Sequence, residues 1–268
     1  LQDIIVIAII GVFAFIDIMM IDVKYLSTEN YQEKEEYDNS FNPTPADAFI
    51  LKDKSDYRVF DVSNGAQGAI NYGAKAAYYH KSVGGYHPAK LSIYQDLAEN
   101  QLYNYPNCQP VLDMLNTKYI IHGTSKADQV EPNANACGSV WFIKSLRTVN
   151  TPREEMDALT TLNVKDTAVI NKIFTSIASN SFAYDSTAKI ELIKNDNDAI
   201  FYKSKASSTQ FAVFSEIYYD KGWNAYIDGK LTPHAKVNYV LRGMPIPSGE
   251  HDIVFKFEPK SHALGWTL

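Results

Sequence analysis

The sequence predicts an α+β protein with an N-terminal hydrophobic helix, a mixed α/β part and then an antiparallel β-sandwich. Three observations lead to this class. Residues 4–16 form an uninterrupted apolar run. Residues 44–170 mix helical periodicity with short segments typical of strands. From residue 187 onward, apolar and polar residues alternate with a period of two, as they do in half-buried strands.

Composition restricts the class of protein further. The chain has 268 residues, of which 46% are hydrophobic and 21% charged, as is usual for a globular protein. The net charge of −6 disfavours a nucleic-acid partner, which requires clustered Lys and Arg. The expected segments are a transmembrane or apolar helix end, a mixed α/β extracytoplasmic domain, a β-sandwich domain and the start of a second membrane segment: 1–26, 27–180, 187–260 and 261–268.

The apolar run begins at Ile4 and, after an interruption at Asp17, continues to Ile21. A helix that spans a bilayer needs about 20 apolar residues, so the run is interpreted as a transmembrane helix cut short at its start. A buried core or interface helix and a signal peptide are the alternatives. No Lys or Arg precedes the run, which disfavours a signal peptide. Trp266, near the other end, suits a membrane interface and favours a second span.

Local signals place elements in the α/β part. Thr44 and Pro45 followed by Asp47 predict a helix start, with the helix running to about Lys52. Residues 64–73 carry three glycines and are predicted to form a loop. Further helices are expected at 88–102, at 111–116 and after Thr151; strands are expected at 57–62, 118–122 and 140–143; and a loop is expected at 126–138.

The β part is marked by its turns. Asp228-Gly229 predicts a tight hairpin. Strands are expected on both sides of it, at 190–192, 200–202, 211–217, 223–227, 237–241 and 252–257. Six or more strands spaced by about ten residues are typical of a β-sandwich.

Common catalytic and cofactor motifs do not occur in the sequence. It has no Gly-x-Gly-x-x-Gly, P-loop, His-Glu-x-x-His, Gly-x-Ser-x-Gly or Cys-x-x-Cys pattern. We therefore expect no cofactor, no metal site and no catalytic residue within the chain. Cys108 and Cys137 bracket a predicted helix-strand unit and could pair in an oxidising compartment. Two unpaired thiols are the alternative.

The first candidate binding site is the segment around Gly84-Gly85. It concentrates aromatic and basic residues just before a predicted helix: Tyr79, His80, Lys81, Tyr86, His87 and Lys90. Aromatic faces beside Lys and His suit a sugar or a phosphate group. We expect His80, Lys81, His87 and Lys90 to converge on one concave, exposed patch. The alternative is a tight loop whose tyrosines pack on the sheet.

The second candidate lies in the sandwich. Trp223, Tyr239 and Arg242 could form an aromatic ligand platform. Aromatic residues on strands are more often part of a core, so a buried cluster is the alternative reading.

Several segments together resemble one family, the YfhO-like family of bacterial polytopic membrane proteins. The resemblance is carried by residues 79–87 (Tyr-His-Lys-Ser-Val-Gly-Gly-Tyr-His), 115–119, 215–219, 226–229, 238–242, 247–251 and 257–261. Two turns depart from the pattern. Asp220-Lys221 stands where a shorter turn with Pro before Gly-Trp is expected, and Pro88 stands where a small residue is usual.

The resemblance implies a parent protein similar to multi-span glycosyltransferases that use a lipid-phosphate sugar donor. Catalytic acids are then expected upstream of residue 1, so the chain itself is not expected to be an enzyme. It would be the large extracytoplasmic domain near the C-terminus, held at the bacterial cell membrane between two spans. The expected partners are the membrane and a glycan or lipid-linked sugar. A free-standing carbohydrate-binding or adhesion module and a purely structural cap remain alternatives.

Overall fold

The computed structural model describes residues 2–178 and 182–265, and it divides the chain into two units after Pro43. In chain order, the α-helices of the described residues are α1 (Gln2–Tyr25), α2 (Lys34–Ser40), α3 (Pro45–Ile50), α4 (Gly65–Asn71), α5 (Ser92–Asn100), α6 (Gln109–Met114), α7 (Pro152–Ala158), α8 (Thr175–Ala178) and α9 (Lys260–Gly265). Trp266, predicted to lie at a membrane interface, is outside the described residues.

The strands follow the same numbering. In chain order they are β1 (Arg58–Asp61), β2 (Thr117–Ile121), β3 (Val130–Pro132), β4 (Val140–Ile143), β5 (Ser145–Val149), β6 (Thr167–Asn171), β7 (Lys189–Asn195), β8 (Ala199–Ala206), β9 (Gln210–Ile217), β10 (Trp223–Ile227), β11 (Lys230–Thr232), β12 (Ala235–Val237), β13 (Leu241–Ile246) and β14 (Gly249–Phe257).

The first unit is dominated by α1. Its 24 residues extend about 36 Å, enough to cross a hydrocarbon core of about 30 Å. Among the described residues it is the one helix that is long and apolar enough to cross a membrane, and none of its residues is buried. This exposure disfavours the alternative of a buried core helix. An apolar surface of this size requires lipid or protein to cover it.

The described residues of the second unit form three sheets. The smallest has the order β1-β2-β3, with β1 and β2 parallel and β2 and β3 antiparallel. A six-stranded sheet has the order β4-β9-β13-β12-β6-β5, and a five-stranded sheet has the order β11-β10-β14-β8-β7. The α+β class with sandwich-like sheets is therefore confirmed.

The two larger sheets share one core. Phe214 and Met244 from the six-stranded sheet pack with Tyr202 and Phe255 from the five-stranded sheet. The ring centroids of Phe214 and Phe255 are 4.9 Å apart, in an edge-to-face arrangement. Strands β4, β5 and β6 precede residue 180, so the six-stranded sheet unites both predicted domains in one unit.

Two local predictions are wrong in instructive ways. Within the predicted loop 64–73, residues 65–71 form α4, because Ala69 and Ile70 are buried against the core and this packing outweighs the low helix propensity of glycine. The predicted loop 126–138 contains the short strand β3, which pairs with β2.

Candidate functional site

The segment around Gly84-Gly85 is held between β1 and α4. The Val59 amide donates to the Lys81 carbonyl (2.8 Å), and the Val83 amide donates to the Val59 carbonyl (2.9 Å), so the segment begins as a short partner of β1. It then turns against the last turn of α4, where the Gly85 amide donates to the Ala69 carbonyl (2.8 Å). These bonds fix the backbone from which the candidate side chains project.

Gly84 is required by this close approach. A Cβ atom at residue 84 would lie 2.3 Å from the carbonyl oxygen of Ala69. We therefore expect Gly84→Ala to lower the free energy of unfolding by about 1–3 kcal/mol, because backbone must move to relieve the overlap. Urea unfolding of the chain in detergent micelles measures the effect. Ala89→Ser, in the exposed part of the same segment, is the control and should change stability by less than about 0.5 kcal/mol.

Half of the expected basic patch forms. His87 and Lys90 both line a cleft of about 700 Å³, which we call the loop cleft, together with Tyr72, Tyr86 and Gln95. The Lys90 ammonium donates to the Ile70 carbonyl (3.0 Å), and His87 Nδ1 accepts from the Ala89 amide (3.1 Å). Tyr86 and Tyr72 are 68% and 83% exposed, so large aromatic surfaces lie beside the His87 and Lys90 side chains.

The other half of the patch points elsewhere. His80 is buried, with Nε2 3.1 Å from Asp47 Oδ1 and Nδ1 3.3 Å from the Tyr57 hydroxyl. Lys81 forms an ion pair with Asp56. The expected convergence of all four side chains is therefore wrong, because packing against α3 and the β1 edge takes His80 and Lys81 away from the cleft.

Tyr79 also does not line the loop cleft. It is half-buried, and its ring centroid lies 4.9 Å from that of Tyr78. Neither ring lines the loop cleft.

A second cleft, the arginine cleft, shares His87 and Lys90 as its wall and has a volume of about 280 Å³. Arg58 lines it, and its guanidinium donates to the Leu115 carbonyl (2.9 Å), Ser215 Oγ (2.8 Å) and Glu216 Oε1 (3.2 Å). The cation at this end is thus fixed in place by partners from distant parts of the chain.

A third cleft, the tyrosine cleft, also has Tyr72 in its wall and has a volume of about 770 Å³. It is lined by Tyr72, Tyr103 and Tyr105 and by polar residues that include Asp61 and Gln67. Sequence reasoning missed this cleft, because it treated residues 64–73 as a loop. The usable signal was the close spacing of Tyr103 and Tyr105, together with Tyr72 beside Gly73.

Two of the three residues of the predicted platform in the sandwich, Trp223 and Arg242, pack together. The Arg242 guanidinium carbon lies 4.3 Å from the ring centroid of Trp223 and 5.1 Å from that of Phe255, and Arg242 is only 2% exposed. Burial lowers the pKa of Arg242. The structure therefore favours the alternative reading, in which this cation-π stack closes one end of the sandwich core.

Tyr239 lies apart from that stack. Its hydroxyl donates to Asp96 Oδ2 (3.0 Å), and Lys236 Nζ lies 4.5 Å from its ring centroid. Burial, followed by the hydrogen bond to Asp96, raises the pKa of Tyr239 to about 12. The three predicted platform residues thus do not form one site.

The two cysteines are free thiols, so the predicted pair is not formed in the structure. Burial raises the pKa of Cys108 to about 11 and that of Cys137 to about 12. Both sulfurs are therefore protonated and poorly reactive at neutral pH.

The long apolar helix α1 and a comparison with known families together support a membrane-associated protein. Residues 180–268 match the family model of the bacterial membrane protein YfhO, which confirms the family resemblance. The matched region covers about a third of the chain and includes β7 to β14. No curated protein and no solved structure matches the chain.

Proposed function

We propose that this chain is an extracytoplasmic accessory domain of a bacterial membrane glycosyltransferase-like protein, and that its loop cleft contacts the glycan acceptor. The observation that carries the proposal is the meeting of His87 and Lys90 with two exposed tyrosines in one cleft. Sugar rings stack on aromatic faces, and sugar hydroxyls accept hydrogen bonds from such donors. The YfhO match supports the membrane setting.

The lining of the loop cleft favours a ligand rich in hydrogen-bond acceptors. Lys90, Asn71 and Gln95 all carry N–H donors, and the residues that line this cleft include no Asp or Glu, although the whole chain carries a charge of −6. A glycan with many hydroxyl groups can accept hydrogen bonds from these donors. A protein surface dominated by Lys and Arg cannot, because it offers further donors in place of acceptors.

We also propose that the chain does not itself transfer sugar, since the resemblance implies that the catalytic acids are in an upstream part of the parent protein. The role of the domain would be to present the acceptor. Incubation of the chain in lipid nanodiscs with a lipid-linked sugar donor and an acceptor glycan tests whether the chain transfers sugar by itself. Measurable transfer by residues 1–268 alone would contradict it.

The cleft itself is tested by His87→Gln combined with Lys90→Gln. We expect the double variant to lose about tenfold in affinity for the glycan that the wild-type chain binds, which corresponds to about 1.4 kcal/mol for the lost donors. A glycan array probed with the chain in nanodiscs, followed by titration of the positive glycan, measures the effect. The full-length protein with the same changes should fail to complement a deletion strain.

Lys81→Gln is the matched control, because Lys81 is a half-exposed lysine of the same segment that faces Asp56 instead of the cleft. Equal affinity of the control and the double variant would contradict the proposal. If the wild-type chain binds a glycan but the double variant complements the deletion strain fully, a free-standing carbohydrate-binding module would be favoured. Full complementation with no glycan bound would favour a structural cap.

A further inference from the structure

We propose that the tyrosine cleft is a second saccharide subsite that takes a neutral sugar ring, so that the tyrosine cleft and the loop cleft together hold an oligosaccharide chain. The inference rests on the proposed function, because the loop cleft shares Tyr72 with the tyrosine cleft. It adds a site that the sequence did not indicate and a class of ligand, an uncharged oligosaccharide, for that site.

The tyrosine cleft and the loop cleft meet at Tyr72. Tyr72 lines both the tyrosine cleft and the loop cleft, and 83% of its surface is exposed. An extended ligand can therefore pass across the Tyr72 ring from one cleft into the other. A single small molecule needs only one cleft, whereas two clefts joined at an exposed aromatic ring suit a chain of similar units.

Two tyrosines of the tyrosine cleft are held in place by contacts within the chain. The Tyr103 hydroxyl donates to Asn71 Oδ1 (3.0 Å), and the Tyr105 ring packs edge-on against Phe60 with centroids 5.9 Å apart. Both tyrosines are half-buried, so their positions are fixed before a ligand arrives. A rigid aromatic wall reduces the entropy lost on binding.

Gly65, at the start of α4, leaves room for a ring to approach the backbone. Gly65 and Gly68 both line the tyrosine cleft. Gly65 has a φ of +76°, a conformation that glycine adopts without strain. A Cβ atom at Gly65 would meet no other atom within 4 Å, so the space beside it is open.

The charge of the tyrosine cleft selects a neutral ligand. Asp61, at the end of β1, contributes a carboxylate to the tyrosine cleft, and its Oδ1 is oriented by the Ser63 amide (3.0 Å). No Lys, Arg or His is among the residues that line this cleft. A carboxylate accepts strong hydrogen bonds from sugar hydroxyls and repels an anionic sugar. Gln67, exposed on α4, adds both a donor and an acceptor.

The experiment titrates the chain in lipid nanodiscs with neutral tetrasaccharides of glucose and of N-acetylglucosamine, in α- and β-linked forms, and with tetragalacturonate as the anionic probe. We expect at least one neutral tetrasaccharide to bind, and to bind more tightly than its monosaccharide. Asp61→Ala and Gln67→Ala should each weaken that binding at least fivefold. Tyr72→Ala should weaken it more, because Tyr72 belongs to both clefts.

Tyr78→Ala is the matched control, since Tyr78 is an exposed tyrosine that lines neither cleft, and it should change affinity by less than twofold. Asp61→Asn, which keeps an acceptor for the Ser63 amide, should improve binding of tetragalacturonate relative to the neutral probes. Thermal melting of each variant shows that its fold is retained.

The outcomes separate this inference from the proposed function. Binding that depends on Lys90 but not on Asp61 or Gln67 would overturn the neutral subsite and leave the loop cleft as the glycan site. Binding that depends on Asp61 and Gln67 but not on Lys90 would support the subsite and contradict the proposed role of the loop cleft. Failure of every neutral tetrasaccharide, or tighter binding of tetragalacturonate by the wild-type chain, would overturn the inference.

Discussion

Replacement of Glu155 by alanine is expected to lower the free energy of unfolding by about 3–5 kcal/mol, because it leaves a half-buried cation without its partner. Glu155 is completely buried in α7. Its two oxygens accept from Lys236 Nζ (3.2 Å) and from the Tyr239 amide (2.9 Å). Burial raises the pKa of Glu155, and the charge of Lys236 opposes that rise. Urea unfolding at pH 7 measures the loss.

The position of Glu155 explains why the effect should be large. The Tyr239 backbone has a φ of +67°, and the Asn238 backbone before it has a φ of +49°, so the turn between β12 and β13 is held in a conformation that non-glycine residues rarely adopt. The Glu155 carboxylate stabilises this turn through the Tyr239 amide. The Tyr239 hydroxyl in turn reaches Asp96 on α5. Glu155 therefore joins the helical layer to the six-stranded sheet.

Two further variants provide comparisons for the stability loss expected of Glu155→Ala. Glu155→Gln keeps an acceptor for the Tyr239 amide but loses the charge, so its cost should lie between those of wild type and Glu155→Ala. Arg153→Ala removes an exposed i,i+4 ion pair with Asp157 on the same helix and should cost less than about 0.5 kcal/mol. If Glu155→Ala is no more costly than Arg153→Ala, the buried carboxylate does not hold the turn.

Elements with a local cause were predictable from the sequence. Thr44 accepts from the Asp47 amide (3.2 Å) and Asp47 accepts from the Thr44 amide (2.9 Å), which confirms the predicted helix start. Asp228 and Gly229 have φ values of +50° and +78°, which confirms the hairpin between β10 and β11. In both cases, residues close together in the chain supply the capping or turn interaction itself.

Elements with a distant cause were not predictable. Strand β6 pairs with β5 on one side and with β12, more than 60 residues later, on the other. The prediction that four basic side chains converge on one patch was wrong for the same reason. His80 faces Asp47 and Tyr57 through packing that a linear pattern does not encode. Tyr72 reaches the loop cleft because α4 packs beside the glycine turn, 12 residues before Gly84 in the chain. Composition alone therefore identified the loop but not the orientation of its side chains.

Acidification from pH 7 to pH 4 is expected to lower the free energy of unfolding by about 2–3 kcal/mol through His234 alone. The imidazole lies edge-on to Phe255, with ring centroids 5.3 Å apart, and 5.5 Å from the ring of Tyr218. Its Nε2 atom is buried and has no hydrogen-bond partner among the described residues. Burial, followed by the positive charge of Arg242, lowers the pKa of His234 from 6.5 to about 4.

The sign follows from the direction of the shift. Because the folded-state pKa lies below the unfolded-state value, the unfolded chain binds the proton first as the pH falls. The contribution of His234 is therefore complete above about pH 6.5 and is lost as the pH falls toward 4. His251 contributes with the opposite sign, since its hydrogen bond to Asp228 raises its pKa and stabilises the fold at lower pH. Comparison with a variant is thus needed to isolate His234.

His234→Phe supplies that comparison, because phenylalanine keeps an aromatic ring between Tyr218 and Phe255 and cannot bind a proton. Urea unfolding at half-unit steps from pH 7.5 to pH 4 should give the variant a shallower decline in stability than the wild-type chain, with the difference growing to about 2–3 kcal/mol at pH 4. His251→Gln should shift the curve in the opposite direction and serves as the control for histidine removal in general. Parallel curves for the wild-type chain and His234→Phe would show that the imidazole is as easily protonated in the folded state as in the unfolded one, and that the ring is not held in a dry contact with Phe255.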